Sequence, residues 1–192
     1  MIRAIIFDCF GVLTTDAWLP FKQQHFGDDL MLFQQATDIN KQADGGSITY
    51  DDFLSQIGEL ASVPTTEVRR AVSNNLPNKE LFDYVSQLKK KYKIGLLSNA
   101  SADWLPELFT AEQIGLFDAT ALSYETRATK PMPQAYEIVA DRLGVPIGDC
   151  VFIDDQERFV TGAREAGMQA IWYKDNEQLL AELSALLADT ED

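Results

Sequence analysis

The sequence predicts a three-layer α/β fold: a doubly wound parallel sheet whose first strand is followed by a small helical insertion. Three observations predict it. Five short apolar runs rich in β-branched residues recur along the chain: "AIIFD" from Ala4, "KIGLLS" from Lys93, "DATALS" from Asp118, "CVFID" from Cys150 and "QAIWY" from Gln169. Segments with helical spacing separate the last four, and strands alternating with helices argue for a parallel sheet. The apolar character within the runs is nearly continuous, as strands buried on both faces require.

Taken in order, the first run ends at Asp8, and Gly11 permits a sharp turn that leads the chain out of the strand. From about Thr15 to Leu88 the strand-helix rhythm stops. Leu30, Met31, Phe33 and Ile39 have helical spacing, then Gly45 and Gly46 interrupt, and Phe53, Ile57 and Leu60 resume it. Ser47 with Tyr50 and Asp51 suggests a fresh helix start, as does "PTTEVRRAVSNN". Further helices are expected around Trp104, Leu105, Leu108 and Phe109, around Ala135, Ile138, Val139 and Leu143, and around Val160, Ala163 and Ala166. The final "DNEQLLAELSALLADTED" reads as a closing amphipathic helix packed on the sheet, with a frayed acidic end. Internal repeats and low-complexity segments are absent from the sequence.

Composition narrows the function classes. A chain of 192 residues with 46% hydrophobic and 10% aromatic content can fill one core with a modest insertion. Thirty acidic against sixteen basic residues give a formal charge of -14, a surface field that repels nucleic acid and anionic lipid. No apolar run approaches the ~20 residues that cross a bilayer, and "IRAIIFD" is short and meets an acid too early for a signal peptide. The expected location is cytoplasmic. Cys9 and Cys150 lack metal-ligand spacing and read as reduced core thiols, with the Cys9 side chain on the opposite strand face from Asp8.

In an open parallel sheet the carboxyl ends of neighbouring strands face one crevice, where ligands bind. Asp8 ends the first strand, Ser98 and Asn99 the second, Asp154 and Asp155 the fourth. Lys130 follows the third strand in "TRATKPMPQAY", before a proline that can open a helix. Carboxylates gathered there repel one another unless a divalent cation or a lysine lies between, and Mg²⁺ takes oxygen ligands of this kind while leaving positions for phosphate.

The stretches "FDCFGVL", "LLSNAS", "TKPMPQAYEIVADRLG" and "VFIDDQERFVTGAREAGM" resemble the four ordered motifs of the haloacid dehalogenase (HAD) superfamily, specifically its phosphatases with a small helical cap. The resemblance covers Met1 to about Tyr173. It implies a Rossmann-like core of residues 1–14 and 89–192, with residues 15–88 in the place of the cap. It further implies that Asp8 is a nucleophile forming an aspartyl-phosphate, that Ser98 donates to the transferring phosphoryl, and that Lys130 neutralises Asp8 and the phosphoryl oxygens. Mg²⁺ would be held by Asp8, Asp154, Asp155 and the backbone carbonyl of Phe10. The expected partner is a small phosphorylated metabolite, with Phe10, Asn99, Trp18 and His25 on the substrate side; the chain acts as a monomer or homodimer. Trp18 and Phe21 fit packing as well as a substrate platform, and His25 is the only histidine.

Phe10 departs from the family pattern. Phosphatases of the family carry a second aspartate there, which protonates the leaving oxygen and later activates water, a contribution worth roughly 10² to 10⁴ in rate. Phenylalanine can do neither, so the expected substrate has a leaving group that departs as an anion: an acyl phosphate, an anomeric sugar phosphate or a phosphoanhydride. Two alternatives follow from the same residue. A 2-haloacid dehalogenase also carries an aromatic residue at this position, but that branch uses a cap arginine, and this chain has none between Arg3 and Arg69; it also works without metal, unlike a pair such as Asp154 and Asp155. A catalytically impaired binding protein is the other alternative, favoured by a second aromatic replacement, Phe159, where relatives often carry Asn.

Overall fold

The computed structural model describes residues 1–188, and a five-stranded parallel sheet forms its centre. Its strands are β1 (Ala4–Phe7), β2 (Lys93–Ser98), β3 (Ala119–Leu122), β4 (Cys150–Asp154) and β5 (Gln169–Trp172), in the spatial order β3-β2-β1-β4-β5. All four pairings are parallel. The central β1 is fully buried and pairs Phe7 with Leu96 on one side and Ile153 on the other. Strand order reverses between β1 and β4, and this switch point opens the crevice at the carboxyl ends.

Alternation along the strands divides the core into two faces. Ile5, Phe7, Ile94, Leu96, Val151 and Ile153 meet α5 (Lys79–Leu88) and α11 (Asn176–Ala188) through Leu81, Val85, Leu179 and Leu183. Ala4, Ile6, Leu97 and Phe152 meet α9 (Pro133–Leu143) and α10 (Glu157–Glu165) through Tyr136, Val139, Phe159 and Ala163. Gly95 lies under α9, where a Cβ would stand 2.9 Å from Leu143 Cδ1. The spacing around Trp104–Phe109 produces only the single turns α6 (Leu105–Leu108) and α7 (Ala111–Ile114), because Phe109 is extended between them. One further turn, α8 (Ser123–Thr126), follows β3 directly. The acidic end of the closing helix, residues 189–192, lies outside the described residues.

The helical insertion comprises α1 (Trp18–Phe26), α2 (Leu30–Asp44), α3 (Tyr50–Ala61) and α4 (Thr65–Val72), built on a core of its own that includes Phe21, Phe26, Ile39, Phe53, Ile57 and Val68. Three expectations change here. Leu30 and Met31 are 85% and 82% exposed, since they occupy the first turn of α2, where Asp29 accepts from the Met31 and Leu32 N–H groups; the buried stripe is Ala36, Ile39 and Ala43. The start of α3 is fixed by Thr49, whose capping box with Asp52 displaces the expected role of Ser47. The boundary at residue 88 also differs: α5 turns Leu81, Phe82, Val85 and Leu88 into the sheet's core rather than toward the insertion. The two chain crossings run side by side, with Asn78 N donating to Leu13 O at 2.9 Å and Thr15 N to Leu76 O at 3.0 Å. No helix among the described residues is long and apolar enough to cross a membrane.

Candidate active site

The site begins where β1 stops. Asp8 N donates to Ile153 O at 2.9 Å, extending the ladder by one residue, and the chain then turns at Gly11 with φ +93°. A Cβ at Gly11 would stand 2.5 Å from Asp155 Oδ2, so the absent side chain lets the β1 loop close against the end of β4.

Asp8, Lys130 and Asp154 are buried together at that junction, with exposures of 4%, 4% and 0%. Lys130 Nζ donates to Asp8 Oδ1 at 2.6 Å and to Asp154 Oδ2 at 2.7 Å, two charge-assisted bonds from one ammonium. It also lies 4.8 Å from the centroid of the Phe159 ring and 5.2 Å from that of Phe152. Phe159 therefore forms the wall behind the lysine. Lys130 is placed by Asn99, which exchanges two hydrogen bonds with the Lys130 backbone. The helix after it is opened by Pro133, not by Pro131. Ser98 is buried at the end of β2, its Oγ donating at 3.4 Å to the Asn99 carbonyl.

One carboxylate oxygen from each of Asp8, Asp154 and Asp155 lies within 4.8 Å of the others, and Asp155 Oδ1 is buried without a hydrogen-bond partner. Burial pushes the Asp8 carboxyl up to about 8, against the pull of Lys130 and with the help of Asp154. Burial and then Asp154 push Asp155 up to about 6. Burial alone would lower the Lys130 ammonium, but Asp154 and Asp8 hold it above the ordinary lysine value. Three carboxylates around one ammonium leave a net negative pocket with an unsatisfied oxygen. Hard divalent cations take such all-oxygen sets. The Phe10 carbonyl accepts no backbone hydrogen bond in the Cys9–Thr14 turn.

A family model for haloacid dehalogenase-like hydrolases matches residues 2–167. The chain belongs to that family. Among curated relatives, the D-ribitol-5-phosphate phosphatase of Bacteroides thetaiotaomicron is 27% identical over 97% of this chain and 99% of its own length. Phosphatase MT3486 of Mycobacterium tuberculosis is 27% identical over 88% of this chain and 86% of its own. Among solved structures, a HAD family enzyme of Bacteroides thetaiotaomicron, in complex with magnesium and inorganic phosphate, superposes with a TM-score of 0.73 at 26% identity, covering 93% of this chain and 99% of that one.

In this HAD-like hydrolase the insertion roofs the strand ends, enclosing a cleft of about 800 Å³ that Asp8, Phe10, Ser98, Asn99, Lys130 and Asp155 line from the core side. Trp18 lines it from the insertion, half-buried and packed on Phe21 and Phe53 at ring separations of 6.0 and 5.3 Å, so it is packing and wall at once. His25 is not among the lining residues; its ring lies 4.3 Å from that of Phe21 at the far end of α1. A histidine in the last turn of α1 sits about two turns from Trp18, which carries it away from the cleft.

Sequence reasoning missed the α2 side of the cleft. Thr37, Asn40 and Asp44 line it, on the helix flank next to the buried Ala36, Ile39 and Ala43. Their i, i+3, i+7 spacing was a legible polar stripe. Nothing in the sequence said that this face looks into the site.

Proposed function

We propose that this hydrolase is a Mg²⁺-dependent phosphatase of a small phosphorylated metabolite, acting through an aspartyl-phosphate on Asp8. The observation that carries the reading is the Lys130 ammonium held between Asp8 and Asp154 at 2.6 and 2.7 Å, beside the unpartnered Asp155 oxygen. Phosphoryl transfer needs positioning and charge neutralisation more than covalent assistance. Asp8 attacks phosphorus and the leaving group departs in line; water then cleaves the acyl phosphate and frees the Asp8 carboxylate. Lys130 offsets charge on Asp8 and the phosphoryl oxygens, and Ser98 Oγ donates to one of them. Mg²⁺, when held by Asp8, Asp154, Asp155 and the Phe10 carbonyl, would neutralise the phosphoryl charge and quiet the repulsion among the three carboxylates.

A roofed cleft of about 800 Å³ supports a small-molecule substrate, and the names of the Bacteroides and Mycobacterium relatives support a phosphatase. Phe10 supplies no proton, so the core residues by themselves suit a leaving group that departs as an anion. Ribitol 5-phosphate, named for the Bacteroides relative, is an alkyl ester whose oxygen leaves poorly without one.

Hydrolysis of p-nitrophenyl phosphate and acetyl phosphate with and without Mg²⁺, beside Asp8→Asn, tests the reading. Mg²⁺-dependent release lost in the variant is the expected result. No release from either compound would contradict it; chloride from chloroacetate would then identify a 2-haloacid dehalogenase, and its absence a binding protein.

A further inference from the structure

The core side of the cleft offers the leaving oxygen no proton, while an unused carboxyl faces the same space from the insertion. Asp44, the last residue of α2, lines the cleft with Asp8, Ser98 and Lys130 and is half-buried there. Its placement is fixed from both sides. The Asp44 carbonyl accepts from Ser123 Oγ at 2.5 Å, and that hydroxyl accepts from Ala100 N at 2.9 Å, two residues beyond Ser98. Arg127 Nη1 donates to Gly46 O at 2.7 Å. The end of α2 is thus tied to the carboxyl ends of β2 and β3. The Asp44 side chain receives Asn40 Nδ2 on Oδ2 at 2.9 Å, and among the described residues Oδ1 makes no hydrogen bond.

We propose that Asp44, carried by the insertion, is the general acid and base that Phe10 cannot be. This rests on Asp8 being the nucleophile. As the bond from the Asp8 oxygen to phosphorus forms and the ester P–O bond breaks, the Asp44 carboxyl passes its proton to the departing oxygen, which leaves as an alcohol. Asp44 remains as a carboxylate. It then takes a proton from the water whose oxygen bonds to phosphorus as the P–O bond to Asp8 breaks. Hydrogen phosphate departs, Asp8 is again a carboxylate and Asp44 again a carboxyl, with no further reactant consumed. The substrates this opens are alkyl phosphates with poor leaving groups.

The surroundings suit the role. Burial pushes the Asp44 carboxyl up to about 7; the Lys130 ammonium and the Asn40 amide oppose that rise, Asp16 adds to it and Arg158 opposes it. An acid poised near the working pH can both give and take a proton. Burial also pushes up Asp16, the other cleft acid on the insertion side, but its Oδ1 is engaged by the Trp18 and Leu19 N–H groups at the start of α1, bonds that oppose that rise and occupy the oxygen.

The test compares Asp44→Asn and Asp44→Glu with wild type on phosphate monoesters from glycerol and ribitol esters to p-nitrophenyl phosphate, across about pH 5 to 9, with Mg²⁺ present. Asp44→Asn is expected to lose roughly 10² to 10⁴ in kcat on the alkyl esters and under about tenfold on the aryl ester, with the alkaline limb near about pH 7 removed. Asp44→Glu is expected to restore part of the alkyl rate. Equal losses on alkyl and aryl esters, a change in KM alone, or no loss in an enzyme that Asp8→Asn inactivates would overturn this inference and leave the aspartyl-phosphate reading standing. A wild type as inert as Asp8→Asn on every ester overturns both.

Discussion

Asn99 and Lys130 hold each other through one side chain and one backbone: Lys130 N donates to Asn99 Oδ1 at 2.8 Å and Asn99 Nδ2 donates to Lys130 O at 3.1 Å. The loop after β3 is thereby fastened to the end of β2, and the ammonium reaches Asp8 and Asp154 from a fixed base. Both polar atoms of the Asn99 side chain are engaged in this way, so in the proposed reaction Asn99 would act by positioning Lys130. Asn99→Ala is expected to lower kcat by about 10²-fold, since a misplacement of about 1 Å costs that much. Asn99→Asp keeps the acceptor and loses the donor, so it should fall between. Steady-state kinetics on p-nitrophenyl phosphate check the order; a variant that changes only KM would show that Asn99 touches substrate instead.

Lys130→Met removes the one cation among three carboxylates. Leaving a buried charge without its partner costs about 3–5 kcal/mol. The expected result is a large drop in thermal stability in chelator and a larger Mg²⁺-induced rise in Tm than wild type shows. Thermal unfolding with and without Mg²⁺ measures both, and equal Mg²⁺ responses would argue that the carboxylates do not share one cation.

The metal-free protein is expected to lose stability as pH rises. Asp8, Asp155 and Asp44 keep their protons to about 8, 6 and 7 when folded, against the ordinary carboxyl value of 3.8. Between those limits the folded state binds more protons than the unfolded one, so the free energy of unfolding falls with pH. The contribution of these groups is greatest below about pH 4, and its loss is complete near pH 8. Mg²⁺ bound at about 100 times its Kd adds about 2.7 kcal/mol, and that gain should be larger at pH 8 than at pH 5.5, where protons compete for the ligands. Melting curves at the two values, in chelator and in Mg²⁺, decide it.

Gly11→Ala forces a Cβ to within 2.5 Å of Asp155 Oδ2 on a backbone at φ +93°. Strain of this kind costs of order 1–3 kcal/mol. Displacing Asp155 should also weaken Mg²⁺ binding, read as a raised Mg²⁺ concentration for half-maximal activity. An unchanged metal requirement would separate the β1 turn from the metal ligands.

How much was legible depended on what fixed each feature. The central strands β1, β2 and β4 declared themselves because burial on both faces demands continuous apolar runs, and Asp8, Ser98, Asn99, Lys130, Asp154 and Asp155 converge because parallel strands share one carboxyl end. The insertion was harder. Its helices pack on one another and on the core by docking, and helical spacing alone does not tell which stripe faces inward. Leu30 and Met31 look like core and stand in solvent, α5 looks like insertion and belongs to the sheet, and His25 looks like a site residue and packs on Phe21. Asp44 was hidden for the same reason: Ser123 holds the carbonyl at the end of α2 and Arg127 that of Gly46 just beyond it, a docking that helical spacing does not encode.

A nucleophilic Asp8 would carry the phosphoryl group during turnover, and that state can be trapped chemically. The enzyme is quenched in acid while hydrolysing p-nitrophenyl phosphate with Mg²⁺, reduced with borohydride to convert an acyl phosphate to homoserine, and digested for mass spectrometry. Homoserine is expected at position 8 in wild type, with none in the absence of substrate and none in Asp8→Asn. Continued turnover with Asp8 unmodified, or a phosphoryl group trapped on another residue, would contradict it.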